Sequence, residues 1–188
     1  MAKRQMERTR SRTPWRNPVI RFEGVTRAPA EVVYDVLADL NSHLDWAGQR
    51  QGETTRLLTM EAPPGPARVG TEFSTSGSDG KVARWSDRSV VTEATRPTVF
   101  EFVTEGRRQG KPGRPPWLFT AVHRYSIANE NGGSRVTYTE EMTRLDGAPK
   151  VMVTRGTSRL VFRISAKYMR RGFDGLLALA EEKAGVTG

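Results

Sequence analysis

The sequence contains no cysteine among its 188 residues. Disulfide bonds, zinc–thiolate centres and thiol nucleophiles are therefore excluded. Its apolar runs are too short to span a bilayer, and no apolar signal-peptide segment follows the basic N-terminus. We therefore expect a cytoplasmic protein.

Common catalytic motifs are also missing. The sequence has no GxSxG nucleophile elbow, no phosphate-binding P-loop, no HExxH zinc motif and no GxGxxG followed by an acid. Histidine occurs only at His43 and His123. His43 and Asp45 make a weak metal pair without a third ligand, so we expect a polar loop histidine there and predict no metal or other cofactor.

Positive charge is abundant but unevenly distributed. The net charge is +9, and basic residues concentrate in segments 1–17, 106–116 and 155–171, of which the last two contain no acidic residue. The rest of the chain is net acidic. Because segment 1–17 lacks apolar periodicity, we expect a disordered basic arm there and a single domain over residues 18–188.

Hydrophobic patterning predicts an α+β domain. A strand over 18–27 precedes a short amphipathic helix that begins near Pro29, and then a second short helix or turn. Alternating patterns predict strands over 54–61, 71–77, 81–94, 99–106, 117–130 and 134–145, followed by a long helix over 155–184. Consecutive hairpins imply a curved antiparallel sheet of six or seven strands wrapped around the C-terminal helix, with room for a ligand at one end.

Four segments, taken in order, are the most informative motifs. They are APAEVVYDVLADLNSHLDW (28–46), RVGTEF (68–73), VVTEATRPTVFEF (90–102) and FDGLLALAEEKAG (173–185). Together they resemble the SRPBCC or START-like helix-grip superfamily, which includes START lipid-transfer, birch-pollen-allergen-like, coenzyme-Q-binding and polyketide cyclase/dehydrase-like proteins. The resemblance covers about residues 18–185. It implies a hydrophobic cavity for small apolar or amphipathic ligands, but no single reaction.

The dipeptide Asn131-Gly132 predicts a two-residue hairpin turn, which fixes the register of the two clearest strands. Counting back from this turn places His123 opposite Glu140 on the apolar face of the sheet. An imidazole and a carboxylate in contact in a poorly hydrated site favour the charged pair, which raises the histidine pKa. The pair is suited to general acid–base catalysis, and it is equally suited to a structural cross-strand hydrogen bond.

The apolar face and the neighbouring helices supply candidate ligand contacts, most of them aromatic. The predicted ligand-binding residues are Trp46, Trp85, Phe100, Phe102, Phe119, Tyr125, Tyr138, Met142, Met169 and Phe173. Aromatic side chains are also typical of a plain core. Trp46 is expected at the cavity rim, while Gly172 and Gly175 either make room for a ligand or permit close packing of the helix against the sheet.

Five basic residues recur every four positions along the predicted C-terminal helix: Arg155, Arg159, Arg163, Lys167 and Arg171. They form either a solvated outer face or a contact with an anionic membrane surface. Nucleic-acid binding by the basic arm is the less favoured interpretation, because no recognition motif accompanies it.

The resemblance implies binding of a small hydrophobic ligand, such as a lipid, an isoprenoid or a polyketide-like molecule, in a cavity between the sheet and the C-terminal helix. The alternative is a polyketide cyclase or dehydratase, in which His123 and Glu140 transfer protons and Tyr125 or Tyr138 orients the substrate. A third hypothesis is a regulator that associates with membranes or nucleic acids through its basic segments.

Overall fold

The computed structural model describes residues 18–110, 113–150 and 154–186, and for residues 155–162 and 164 it describes the backbone only. The predicted basic arm, residues 1–17, lies outside the described residues, as do Lys111 and Pro112 of the basic loop. None of the described helices is long and apolar enough to cross a membrane.

Seven strands form one sheet in the order β1-β7-β6-β5-β4-β3-β2. They are β1 (Val19–Thr26), β2 (Arg56–Glu61), β3 (Glu72–Asp79), β4 (Ala83–Thr95), β5 (Val99–Gln109), β6 (Trp117–Glu130) and β7 (Gly133–Asp146). All neighbouring strands are antiparallel. From β2 to β7 each strand pairs with the next along the chain, and β1 pairs with β7. The predicted antiparallel architecture is confirmed.

Short helical segments follow β1, as predicted. Helix α1 (Ala30–Ala38) buries one apolar face, on which Val33, Val36 and Leu37 are fully enclosed. The chain continues through a 3-10 turn (Leu40–Ser42) and a π-helical segment (Leu44–Gln49). We call residues 40–49 the helical corner.

The long C-terminal helix, α2 (Arg155–Ala184), ends at Gly185, whose left-handed φ of 69° suits glycine. Its buried side carries Phe173, Leu176, Leu179 and Ala180, which recur at helical spacing. This side packs against β1, α1 and the helical corner. Fully burying an apolar side chain of this size contributes about 1.5–3 kcal/mol. Packing of its C-terminal half therefore stabilises the helix.

Gly175 permits the close approach of α2 to the helical corner. A Cβ atom at Gly175 would lie 3.0 Å from the carbonyl oxygen of Trp46 and 3.0 Å from the Cβ of Arg50. A Cβ at Gly172 would lie at an ordinary 3.6 Å from the Cα of Ala47. Close packing therefore explains Gly175, and its packing partner is the corner, not the sheet.

Candidate functional site

A cavity of about 290 Å³ lies between the concave face of the sheet, α2 and the helical corner. The alternation of side chains along each strand explains its wall. Inward-facing residues of neighbouring strands come into register, so that they form successive layers across the sheet. The cavity is of the size that suits a small organic ligand.

The innermost layer is aromatic. Tyr138 lies opposite Tyr125, and Tyr125 lies opposite Phe100. Both tyrosines line the cavity, whereas Phe100 is completely buried and packs edge-on against Tyr34. Phe100 belongs to the core and not to the cavity wall, which corrects its predicted role as a ligand contact.

The second layer contains the predicted catalytic pair. His123 lies opposite Glu140 in the sheet, so the register predicted from the hairpin turn is confirmed. Phe102 lies on the other side of His123, with the two rings stacked at 4.7 Å. All three side chains line the cavity, and Met142 follows Glu140 along the same wall.

The layers nearer the opposite end of the cavity are more polar. One consists of Thr75, Asp87, Gly106 and Phe119, and the next of Gly77, Trp85, Arg108 and Trp117. Arg108 of this layer forms an ion pair with Asp79 at 3.0 Å, and its guanidinium lies 5.2 Å from the centre of the Trp117 ring. Burial raises the pKa of Asp87 to about 6, although a hydrogen bond from Thr75 opposes this rise.

Two glycines allow aromatic rings to lie flat against the sheet. A Cβ atom at Gly77 would overlap the ring of Trp85, and one at Gly106 would overlap the ring of Phe119. Both rings belong to predicted ligand-binding residues and line the cavity. The absence of a side chain at the two glycines therefore keeps these rings out of the cavity and contributes to its volume.

Helix α2 and the helical corner close the cavity opposite the sheet. Met169 and Phe173 of α2 line it, and so does Trp46 of the corner. Trp46 is only 5% exposed and packs at 6.4 Å against Tyr125, so it lies within the wall and not at the predicted rim. Its indole N–H has no hydrogen-bond partner among the described residues.

His43 is a buried residue of the helical corner, which corrects the expected loop position. Its ring packs at 4.6 Å on Trp46, and its Nε2 lies 2.9 Å from the carbonyl oxygen of Leu37. Burial lowers the pKa of His43 to about 4. The ring is therefore neutral at pH 7, with Nε2–H as the donor. Asp45 accepts hydrogen bonds from Arg50.

A hydrogen-bonded chain connects the predicted catalytic residues. His123 Nδ1 lies 2.8 Å from the hydroxyl of Tyr138, and this hydroxyl donates to Glu140 Oε2 at 2.9 Å. The direct distance between His123 Nδ1 and Glu140 Oε2 is 3.7 Å. Tyr138 therefore mediates the contact, a role that the register alone did not predict.

The protonation states of this chain differ from the sequence prediction. The expected rise in the pKa of His123 is wrong, because burial lowers it to about 4. Burial also raises the pKa of Glu140 to about 7, opposed by the hydrogen bond from Tyr138 and supported by the charge of Asp79. Both groups thus favour their neutral forms, since desolvation outweighs their mutual attraction at this distance.

This chain can move a proton without moving a heavy atom. With Glu140 ionised, His123 Nδ1–H donates to Tyr138, which donates to Glu140. With Glu140 protonated, both hydrogen bonds can reverse and His123 takes the Nε2–H tautomer. The arrangement is suited to acid–base chemistry or to holding a polar group of a ligand.

Sequence reasoning did not single out the polar side chains Asp79, Asp87 and Arg108 of the cavity wall. The available signal was strand alternation, since Arg108 shares its face with Phe102 and Asp87 shares its face with Trp85. The five basic residues that recur every four positions along α2, which we call the basic stripe, are only partly covered by the described side chains. Arg163, Lys167 and Arg171 are exposed, and the side chains of Arg155 and Arg159 lie outside the described residues.

Comparison with protein-family models finds no match. No curated protein matches either. Solved structures do match. A protein from Rhizobium leguminosarum is 16% identical with a TM-score of 0.60, and the alignment covers 89% of this chain and 96% of that one. Protein Ms6760 from Mycobacterium smegmatis is 13% identical with a TM-score of 0.58, and the alignment covers 86% of this chain and 89% of that one.

Ara h 8.0201 is also similar, with 12% identity and a TM-score of 0.53 over 87% of this chain and 99% of that one. The present chain has the helix-grip fold. At these levels of identity the likeness extends to the fold alone.

Proposed function

We propose that this helix-grip chain belongs to the SRPBCC or START-like superfamily and binds a small hydrophobic ligand between its sheet and helix α2. The observation that carries the proposal is the cavity itself, whose exposed wall is mostly apolar surface from aromatic and aliphatic side chains, with polar side chains such as His123, Glu140 and Arg108 among them. Such a wall is typical of ligand sites, in which apolar surface supplies affinity and sparse polar groups orient the ligand.

Native mass spectrometry of the purified protein tests for a co-purifying lipophile, and titration with the neutral fluorophore N-phenyl-1-naphthylamine tests the cavity. Met169→Trp should fill the cavity from α2 and weaken fluorophore binding at least about tenfold. Ala178→Trp is the matched control, because Ala178 is exposed on the same helix. Equal binding by both variants, or no binding by the unmodified protein, would contradict the proposal.

A second function is favoured by the chain from His123 through Tyr138 to Glu140. We propose, as an alternative, a cyclase or dehydratase that removes water from a β-hydroxy ketone. Starting with Glu140 ionised and His123 protonated on Nδ1, Nε2 takes the proton from the carbon next to the carbonyl, and the Nδ1 proton passes through Tyr138 to Glu140. Glu140 passes this proton to the departing hydroxyl, and a carbon–carbon double bond forms as water leaves.

Single replacements His123→Gln, Glu140→Gln and Tyr138→Phe test this alternative. If the reaction occurs here, each should lower turnover of a β-hydroxy ketone about 10²-fold or more. Binding of the neutral fluorophore should change much less. Turnover that survives all three replacements would exclude proton transfer by this chain and leave the binding function standing.

A further inference from the structure

The cavity contains more acidic than basic side chains among the described residues. Asp79, Asp87 and Glu140 line it, together with Arg108. Because Arg108 lies 3.0 Å from Asp79, these two charges offset each other. Asp87 and Glu140 are left without a lysine or arginine partner among the described residues. A buried carboxylate without a cation is costly unless it is protonated or a ligand supplies the charge.

Glu140 is the more enclosed of the two, at 8% exposure. Among the described residues it accepts one side-chain hydrogen bond, from Tyr138. Tyr125 provides an independent sign of a missing partner. It is 5% exposed and lines the cavity, and the described residues offer its hydroxyl no hydrogen bond. Tyr125 lies opposite Tyr138 in the sheet, and the hydroxyl of Tyr138 donates to Glu140, so Tyr125 is next to the residue that contacts the carboxylate.

Aromatic rings surround this position. Tyr125 and Tyr138 lie 4.7 Å apart, and Trp46 packs on Tyr125 at 6.4 Å. A carboxylate beside several ring faces is the chemistry that binds an organic ammonium ion, since the rings attract a cation through their quadrupoles. Neutral imidazoles at His43 and His123 do not compete for the carboxylate as cations.

The surroundings of Glu140 determine how its charge responds to pH. The titratable and charged groups that line the cavity with it are Tyr138 on β7, His123 and Tyr125 on β6, Asp79 on β3, Asp87 on β4, Arg108 on β5 and His43 in the helical corner. Ile20 of β1 and Met169 and Phe173 of α2 contribute no charge.

We propose that the ligand is a hydrophobic amine, whose ammonium group binds between the carboxylate of Glu140 and the rings of Tyr125 and Tyr138. This inference rests on the proposed binding function and specifies its ligand class. A carboxylate ligand at the same place would face Glu140 without a compensating cation. A neutral alcohol would gain a hydrogen bond but would leave the carboxylate unpaired.

Displacement of N-phenyl-1-naphthylamine by decylamine, decanol and decanoate tests the inference. The three chains are matched in length, so their order reports the polar group. At pH 8 decylamine should displace the fluorophore at least about tenfold more effectively than either of the others, because only the amine supplies the missing positive charge. Equal or stronger displacement by decanol or decanoate overturns the inference while the binding function stands. Failure of the fluorophore to bind overturns both.

Glu140→Gln should weaken the binding of decylamine at least about tenfold and change the affinity for decanol less than about threefold. The substitution removes the charge of the side chain and keeps its shape. Glu141→Gln is the matched control on the opposite face of β7 and should preserve the order of the three ligands. An unchanged preference for decylamine in Glu140→Gln overturns the inference.

The unmodified protein provides a test that does not depend on how the variants fold. Decylamine remains protonated well above pH 8, whereas the pKa of Glu140 is about 7. The affinity of the protein for decylamine should therefore rise about tenfold from pH 6 to pH 8, as Glu140 becomes ionised. The affinity of decanol should stay flat. A decylamine affinity that is flat or falls over this range overturns the inference.

Discussion

The two histidines occupy two regions of the molecule with different consequences. Both are buried, and burial lowers the pKa of each to about 4. His43 is bound to a backbone carbonyl in the helical corner, whereas His123 is bound to a side-chain hydroxyl in the cavity wall. The first bond completes a local fold, and the second leads to another titratable group. A perturbed pKa therefore does not by itself mark a functional residue, and the identity of the partner is more informative.

The largest expected difference between these regions is in stability. His43→Ala should lower the free energy of unfolding by about 2–4 kcal/mol, because it leaves the carbonyl of Leu37 unpaired and removes the ring that packs on Trp46. His123→Ala should cost about 1–2 kcal/mol, because the vacated space joins an existing cavity and Tyr138 still bonds to Glu140. Urea unfolding at pH 7.5 measures both, and equal losses would contradict the comparison.

The next effect is a dependence of stability on pH. The pKa of Glu140 is raised from 4.5 to about 7, so its contribution to stability is complete below pH 4.5 and is lost as pH rises through 7. The pKa of His123 is lowered from 6.5 to about 4, so its contribution is complete above pH 6.5 and is lost as pH falls through 4. The two trends oppose each other between these limits.

Glu140→Gln removes one of the two trends. We compare the free energy of unfolding of the variant with that of the unmodified protein. Between pH 4.5 and pH 8 this difference should shift by about 1–3 kcal/mol in favour of the variant. Urea unfolding at both pH values provides the measurement, with Glu141→Gln as the control on the opposite face. An identical pH profile for Glu140→Gln and the unmodified protein would show that Glu140 titrates normally in the fold.

A smaller effect is expected on cavity volume. Gly106→Ala should push the ring of Phe119 into the cavity and weaken the binding of N-phenyl-1-naphthylamine about 3–10-fold. The free energy of unfolding should fall by about 1–3 kcal/mol. Gly110→Ala is the matched control on the same chain segment, because a Cβ there meets no atom within 4 Å. Similar affinities in the two variants would mean that Phe119 does not limit the cavity.

The smallest effect on the fold is expected from the basic stripe of α2. Arg163 and Lys167 are exposed, so replacing both with Gln should change the free energy of unfolding by less than about 0.5 kcal/mol. If the stripe contacts an anionic membrane surface, which is one of the two alternatives that the sequence leaves open, the same variant should bind anionic vesicles about fivefold more weakly per residue replaced. Vesicle flotation checks this, and unchanged flotation would assign the stripe to a solvated face.

Local patterns predicted the fold because each element depends on signals within a short segment. The turn at Asn131-Gly132 was sufficient to place His123 opposite Glu140, since hairpin register follows from turn length. Burial of His43 could not be predicted this way, because it depends on contacts between the corner and distant elements. The direction of the His123 pKa also required the third dimension, since it depends on the 3.7 Å separation and on how little water reaches the pair.

The pairing of β1 with β7 has a consequence for how the cavity forms. Strands β2 to β7 pair with their neighbours along the chain, but Val19 pairs with Glu141, more than a hundred residues away. Closing so long a loop costs entropy before any contact compensates for it, so β1 is expected to join the sheet late in folding. Because Ile20 lines the cavity and Phe22 stacks on Tyr138, the cavity wall is complete only after this step.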